Sequence, residues 1–209
     1  MNVVARETWL KERMALLRRE KAVTRELDLL AKERQKLPWV KIEQNYLFQT
    51  RDGDLTLEEL FGSFSQLIVY HFMFGPEWRV PCDGCTGWAN AFEGTLDQIQ
   101  IHDANLIAVS RAPIDKLESV RKNKGWSFQW ASSFGSDFNF DFSMSASADC
   151  KSVQVADEVI TYDRGESGGI SVFVTNAEGI FQTYSCYNRG IQLMNGAFGY
   201  VDLLPYGGN

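Results

Sequence analysis

The chain has 209 residues, 44% of them hydrophobic, enough to bury one sizeable core. Its formal net charge of -6 is the wrong sign for a nucleic-acid partner, which needs a basic surface. No run approaches the ~18 apolar residues of a membrane span, the N-terminal stretch MNVVARETWLKERM is charged, and four cysteines are too few for a disulfide scaffold, so a cytoplasmic protein is expected.

The first predicted element is a helix over about residues 5–35, free of Gly and Pro and ending before Pro38. Trp9, Leu16, Val23, Leu30 and Leu37 recur every seven residues, and Leu10, Met14, Leu17, Leu27 and Ala31 widen the stripe. Up to Lys36 there are ten Lys/Arg and six Asp/Glu, a balance of +4 that leaves -10 for the rest. Acidic residues mixed through the polar face argue against a membrane-surface helix. The stripe suits packing either on the protein's own body or on a partner subunit. The expected domains are therefore a helical arm, 1–37, and a body, 38–209, with the arm joining a homodimer.

The segment VKIEQNYLFQ (40–49) alternates loosely before the turn Arg51-Asp52-Gly53-Asp54 and predicts a hairpin or short strand. Thr56 and Glu59 have the spacing of a capping box, with Gly62 as terminator. SQLIVYHFMF (65–74) reads as a strand covered on both faces.

Cys82 and Cys85 come directly after it, in FGPEWRVPCDGCTGW. Trp88, Phe92, Leu96 and Ile99 follow at helical spacing, so the dithiol is expected on the turn that opens a helix. There backbone N–H groups favour a thiolate, and Cys82, at or before the first turn, is the expected nucleophile with Cys85 resolving. Arg79 is positioned in sequence to stabilise the thiolate, and Trp78 and Trp88 to wall a substrate pocket. A metal reading stands beside the redox one. Two soft thiolates with the imidazole of His71, on the preceding strand, suit copper or zinc, whereas dithiol exchange needs no cofactor. A third reading is packing alone. Taken singly, His71 is expected as a hydrogen-bonded core residue, His102 at the surface, and Cys150 and Cys186 as free thiols.

NLIAVS (105–110) predicts a second buried strand, and Pro113 and Gly125 bracket a helix ending near Lys124. GSDFNFDF alternates aromatic residues and predicts a strand or a tight turn. Segment 143–168, rich in Ser, Asp and Gly, predicts an insert, a lid or a partner loop in which only VQVADEVITY resembles ordered structure. GISVFV (169–174) and IFQTYS (180–185) flank a turn and predict a hairpin. Strand, helix, strand, helix and a terminal hairpin give an α/β fold: a thioredoxin-like mixed sheet flanked by helices, with a long N-terminal helical arm.

The order LTLEELFG, SQLIVYHFMF, the cysteine, NLIAVSRAP and a hairpin resembles the redoxin and peroxiredoxin branch of the thioredoxin superfamily. FMFGPEW, the C-x-x-C, VSRAP, GSDFN, SVF and the Y-x-R-G of Tyr187 to Gly190 are similar to a bacterial family of thioredoxin-like predicted dithiol-disulfide oxidoreductases. That resemblance covers nearly the whole chain and implies exchange with a thiol or disulfide substrate, protein or small molecule. Four places depart from these patterns. Where a peroxiredoxin has Thr before its cysteine and Arg before a late strand, this chain has Arg79 and about Ile170, which sets a thiol peroxidase behind dithiol exchange. Gly168-Gly169 stands where thioredoxins carry a cis-proline, and Gln182 where the related family carries His.

Overall fold

The computed structural model describes residues 2–206, the side chain of Phe198 excepted. The chain divides into two compact units, one up to Pro38 and one from Trp39 onward. The first holds a single helix, α1 (Arg6–Arg34). Glu7 in its first turn and Lys32 and Arg34 in its last complement the helix dipole. None of its residues is buried, and Trp9, Leu16, Val23 and Leu30 of the seven-residue repeat are exposed.

The second unit opens with β1 (Val40–Ile42), β2 (Leu47–Thr50) and β3 (Gly53–Thr56). Gly53, at φ +127°, lets β2 and β3 form the expected tight hairpin. The capping box forms as read: Glu59 Oε2 accepts from the Thr56 backbone N–H at 2.7 Å, and Glu59 N–H donates back to Thr56 Oγ1 at 3.3 Å. It opens only a 3-10 turn, Glu59–Phe61, before Gly62 ends it.

Next come β4 (Gln66–His71), α2 (Asp83–Ala89), α3 (Leu96–Ile101), β5 (Ala104–Ser110), α4 (Ile114–Lys124) and β6 (Gln129–Ser132). β4, β5 and β6 are parallel neighbours, joined by helices as the alternation predicted. The expected long helix after the dithiol is instead two short ones. Hydrogen bonds from Ala91, Phe92 and Thr95 back to residues three positions earlier tighten the chain between them, so Phe92 turns inward beside Trp88.

GSDFNFDF gives the turn over the core rather than the strand: one helical turn, α5 (Phe138–Asp141), with Phe138 fully buried. The ordered part of the insert is a separate two-stranded sheet, β7 (Ser152–Val155) and β8 (Glu158–Thr161). The predicted hairpin is β9 (Gly169–Asn176) and β10 (Gly179–Tyr187), followed by a 3-10 helix, Asn188–Met194, and α6 (Gly196–Val201).

The main sheet has the order β1-β10-β9-β4-β5-β6-β2-β3, which places β4 and β5 at its centre. Each face carries a core. Leu67, Val69 and Val109 pack with Phe48, Phe138 and Phe173 on one side. Tyr70, Phe72 and Ala108 pack with Trp88, Trp126 and Trp130 on the other. Burying such side chains stabilises the fold by roughly 1.5–3 kcal/mol each, and the two-sided burial explains why β4 reads as an unbroken apolar run.

Candidate active site

The dithiol sits where β4 delivers the chain to α2. The Cys82 backbone N–H donates to the Met73 carbonyl at 3.1 Å, which ties the cysteine to the segment just beyond the strand. Its carbonyl accepts twice at 2.9 Å, from the N–H and from the hydroxyl of Thr86. With its backbone held in extended conformation, Cys82 caps the helix, and its Sγ accepts the Cys85 N–H at 3.4 Å. Cys82 is half-buried and Cys85 buried, and neither is in a disulfide.

The two thiols are held at opposite ends of the protonation scale. The Cys85 thiol donates to Cys82 and, with the backbone N–H groups of Cys85 and Gly84, lowers the Cys82 thiol to about 6 against the opposition of burial and Asp163. Cys85 is pushed strongly upward by that same bond to Cys82, then by burial. One thiol is thus ready to attack at neutral pH while the other keeps its proton.

Both open onto a hollow of about 340 Å³. Tyr70 and Trp88 line it from the sheet and from α2, and Asp163, Ser167 and Gly168 come from the end of the insert. Trp88 stacks on Tyr70 with ring centres 5.5 Å apart. At Gly168 a Cβ would still find ordinary room, 3.7 Å from Cys85 Sγ; at Gly169 it would overlap the Cys186 carbonyl and Met144. The start of β9 therefore has space for glycine alone.

Of the residues singled out from sequence, Cys82, Cys85 and Trp88 come together here. Arg79 is exposed and is not among the residues lining the hollow. Trp78 is buried under the Arg164 guanidinium, 3.7 Å from its ring centre, and faces a different hollow with Arg111 and Glu166. His71 is a correction to the metal reading. Side chains alternate across a strand, so His71 projects to the face opposite Tyr70, where its Nε2 is 2.9 Å from Ser171 Oγ and its ring stacks on Phe138. It is the hydrogen-bonded core histidine that its place in the strand suggested, and burial lowers its imidazole to about 3. Among the described residues no group of three or more His, Cys, Asp or Glu is placed to hold a metal ion. His102 is exposed, and neither Cys150 nor Cys186 is in a disulfide.

Sequence reasoning missed Tyr70 and Asp163. For Tyr70 a signal existed: its neighbour in the strand is His71, so assigning one to a face sends the other to the opposite face. For Asp163 there was none, because a loop position reaches the hollow only through the tertiary fold.

A parallel β–α–β core closed by an antiparallel hairpin, with a C-x-x-C at the strand-to-helix turn, makes this a thioredoxin-like protein. Within that class the chain belongs to the family described as "Bacterial protein of unknown function (DUF899)", which matches residues 1–209. Among solved structures it is similar to a cysteine-to-serine mutant of PrxQ from Xylella fastidiosa, with TM-score 0.54, 11% identity and coverage of 77% of this chain and 94% of that one. It is also similar to a mutant of peroxiredoxin Q from Xanthomonas campestris, with TM-score 0.50, 12% identity and coverage of 75% and 89%. The bacterioferritin comigratory protein of Xanthomonas campestris gives TM-score 0.50, 13% identity and coverage of 75% and 90%. At these identities the likeness is one of fold. No curated protein matches the chain. No helix among the described residues is long and apolar enough to cross a membrane.

Proposed function

We propose that the protein is a thiol-disulfide oxidoreductase in which Cys82 is the nucleophile and Cys85 the resolving thiol. The observation that carries this reading is the asymmetry of the pair: Cys82 Sγ faces the hollow while accepting the Cys85 N–H and thiol, and Cys85 lies buried behind it. In reduction, the Cys82 thiolate attacks a substrate disulfide, forming a mixed disulfide and releasing one substrate thiolate. Cys85, after losing its proton, attacks Cys82 Sγ and expels the second thiolate. Two electrons pass from the dithiol to the substrate, and a Cys82–Cys85 disulfide remains. Oxidation of a dithiol substrate is the same sequence reversed. The peroxiredoxin names of the structural relatives suggest peroxide as a substrate, but Arg79, three residues before Cys82, is exposed and brings no hydroxyl to the thiol.

The test is the pH dependence of Cys82 alkylation. At pH 7 a thiol of pKa about 6 is about nine-tenths thiolate, roughly ninety times more than one left at 9, but its intrinsic nucleophilicity is roughly thirty-fold lower. The net rate gain is only about three-fold, so the inflection is the diagnostic quantity. It is expected near 6, together with a Cys82–Cys85 disulfide in an oxidising thiol buffer. An inflection near the ordinary ~8.5, or no such disulfide, overturns the reading.

The exposed stripe of α1 supports a homodimer. Burying several Leu, Val and Trp side chains at roughly 1.5–3 kcal/mol each would offset the cost of association. Light scattering is expected to give the mass of two chains for the native protein, and of one for Leu16→Glu combined with Val23→Glu. A native monomer removes the proposal.

A further inference from the structure

Next to the last residue of β4, Tyr70 is fully buried and its hydroxyl has no hydrogen-bond partner of ordinary geometry. Few native side chains leave a polar group in that condition, because it forfeits its bonds to water at a cost of roughly 1–3 kcal/mol. The ring is not free to turn the oxygen elsewhere. Trp88 lies flat against one face at 5.5 Å, and Phe92 and Phe72 meet it edge-on at 5.0 and 6.2 Å. The strand itself is held between β9 and β5. This rigid phenol lines the dithiol hollow and faces the Cys85 thiol.

We propose that Tyr70 is a catalytic residue for the resolving half of the reaction, its hydroxyl donating a hydrogen bond to Cys85 whenever Cys85 carries the thiolate. The proposal rests on the exchange reading above. When an incoming substrate thiolate attacks Cys82 Sγ of the Cys82–Cys85 disulfide, a new S–S bond forms, the old one breaks, and Cys85 leaves with the electron pair. In the opposite direction Cys85 must lose its proton, to solvent or to the departing substrate thiolate, before it attacks the mixed disulfide at Cys82. Both directions pass through a buried Cys85 anion. The other titratable groups facing the hollow are Cys82, Asp163 and Tyr162. An acidic aspartate opposes that anion, and Cys82 Sγ is consumed in the new bond. Among these groups Tyr70 combines full burial, a fixed ring and an O–H that lacks a partner of ordinary geometry. Consistently, Tyr70 lowers the Cys85 thiol while burial and Cys85 hold its own phenol well above the usual range, so it stays a donor.

The state with the unsatisfied hydroxyl is the reduced, protonated one. In that state the group is preorganised for a charge that exists only during turnover. This gives a test that separates catalysis from structure. In Tyr70→Phe the ring and its stacking stay and only the unpartnered oxygen goes, so thermal stability is expected to hold or rise. A hydrogen bond that merely supported the fold would instead be lost. The rate of mixed-disulfide resolution, measured by quenching after a model disulfide is added to the reduced protein, is expected to fall roughly ten-fold or more, the worth of a charge-assisted bond. The pH at which resolution reaches half its maximum should rise, while the first step, Cys82 alkylation at its inflection, stays within about two-fold.

A second measurement makes the proposal independent of turnover. In Cys82→Ser the Cys85 thiolate is followed by its ultraviolet absorbance, and adding Tyr70→Phe is expected to move that titration to higher pH. If resolution and the Cys85 titration are both unchanged by Tyr70→Phe, the assignment is wrong even where the exchange reading holds. If the wild-type protein forms no Cys82–Cys85 disulfide, the exchange reading fails and the catalytic role of Tyr70 fails with it, whatever the titration shows.

Discussion

Cys82→Ser is expected to lower thiol-disulfide exchange by at least roughly a thousand-fold, because it removes the only thiol in the hollow that is ionised at neutral pH. Cys85→Ser is expected to act differently. It leaves a nucleophile with no resolving partner, so one substrate equivalent should remain attached to Cys82 as a mixed disulfide that mass spectrometry detects. The Cys82 inflection should also move. The largest single influence lowering it is the hydrogen bond from the Cys85 thiol, with the backbone N–H groups of Cys85 and Gly84 next. A serine hydroxyl keeps part of the first and all of the second, so a modest rise above 6 is expected for Cys85→Ser and a larger one for Cys85→Ala. Equal loss of activity in both variants, with no trapped mixed disulfide, would contradict the assignment of nucleophile and resolver.

The second large effect is expected away from the sulfurs, at Arg111. Its guanidinium, 4.4 Å from the centre of the Phe140 ring, donates to Glu166 Oε1 at 2.9 Å. Glu166 is 2% exposed and also accepts from the Ser145 hydroxyl at 2.8 Å. The pair clasps the loop that carries Asp163, Ser167 and Gly168 into the dithiol hollow. Arg111→Ala would strand a buried carboxylate, at a cost of roughly 3 kcal/mol, or about 6–12 °C in Tm for a chain of this size. The pH dependence has a definite sign. Burial raises Glu166 from 4.5 to about 6 despite Ser145 and Arg111, so between those values the folded state binds the proton more tightly than the unfolded one. Its contribution is complete below 4.5 and is lost as pH rises through about 6, a loss of about 2 kcal/mol. Arg111→Ala should deepen that fall, and Glu166→Gln should flatten it. Thermal melts from acid to neutral pH check both. A neutral-pH Tm for Arg111→Ala within a degree or two of the native value would show that the clasp contributes little.

Much of the frame was legible in the chain. The limits of α1, the Thr56–Glu59 box, the buried runs of β4 and β5, the helix between Pro113 and Gly125 and the closing hairpin are all local: each is encoded by periodicity, a cap or a turn within about a dozen residues. The place of Cys82 at a helix start followed from the same reasoning, since an apolar strand running into a helical repeat leaves only the turn for the dithiol. GSDFNFDF leaves strand and turn open because aromatic alternation fits a strand, while burial of Phe138 against Phe48 and Phe173 selects a helical turn. The helix after the dithiol was read too long for a related reason. Its apolar spacing holds across the break, but placing Phe92 against Tyr70 and Phe128 requires the tightened turn.

By itself, then, the sequence determined the striped helical arm, the buried strands β4 and β5 with a helix after each, the closing hairpin, and which two sulfurs share one turn, because those depend on neighbours along the chain. Only the tertiary structure decided which groups meet the sulfurs. Pairing of β4 with β5 and β9 sets which face of the sheet holds the dithiol, and so it sends His71 into the far core and Tyr70 to Cys85. The loop from the insert brings Asp163 across some eighty residues of chain to Cys82, while Arg79, only three residues away, points into solvent. Proximity along the chain limits what can touch, but alternation across a strand and the closing of long loops select what does.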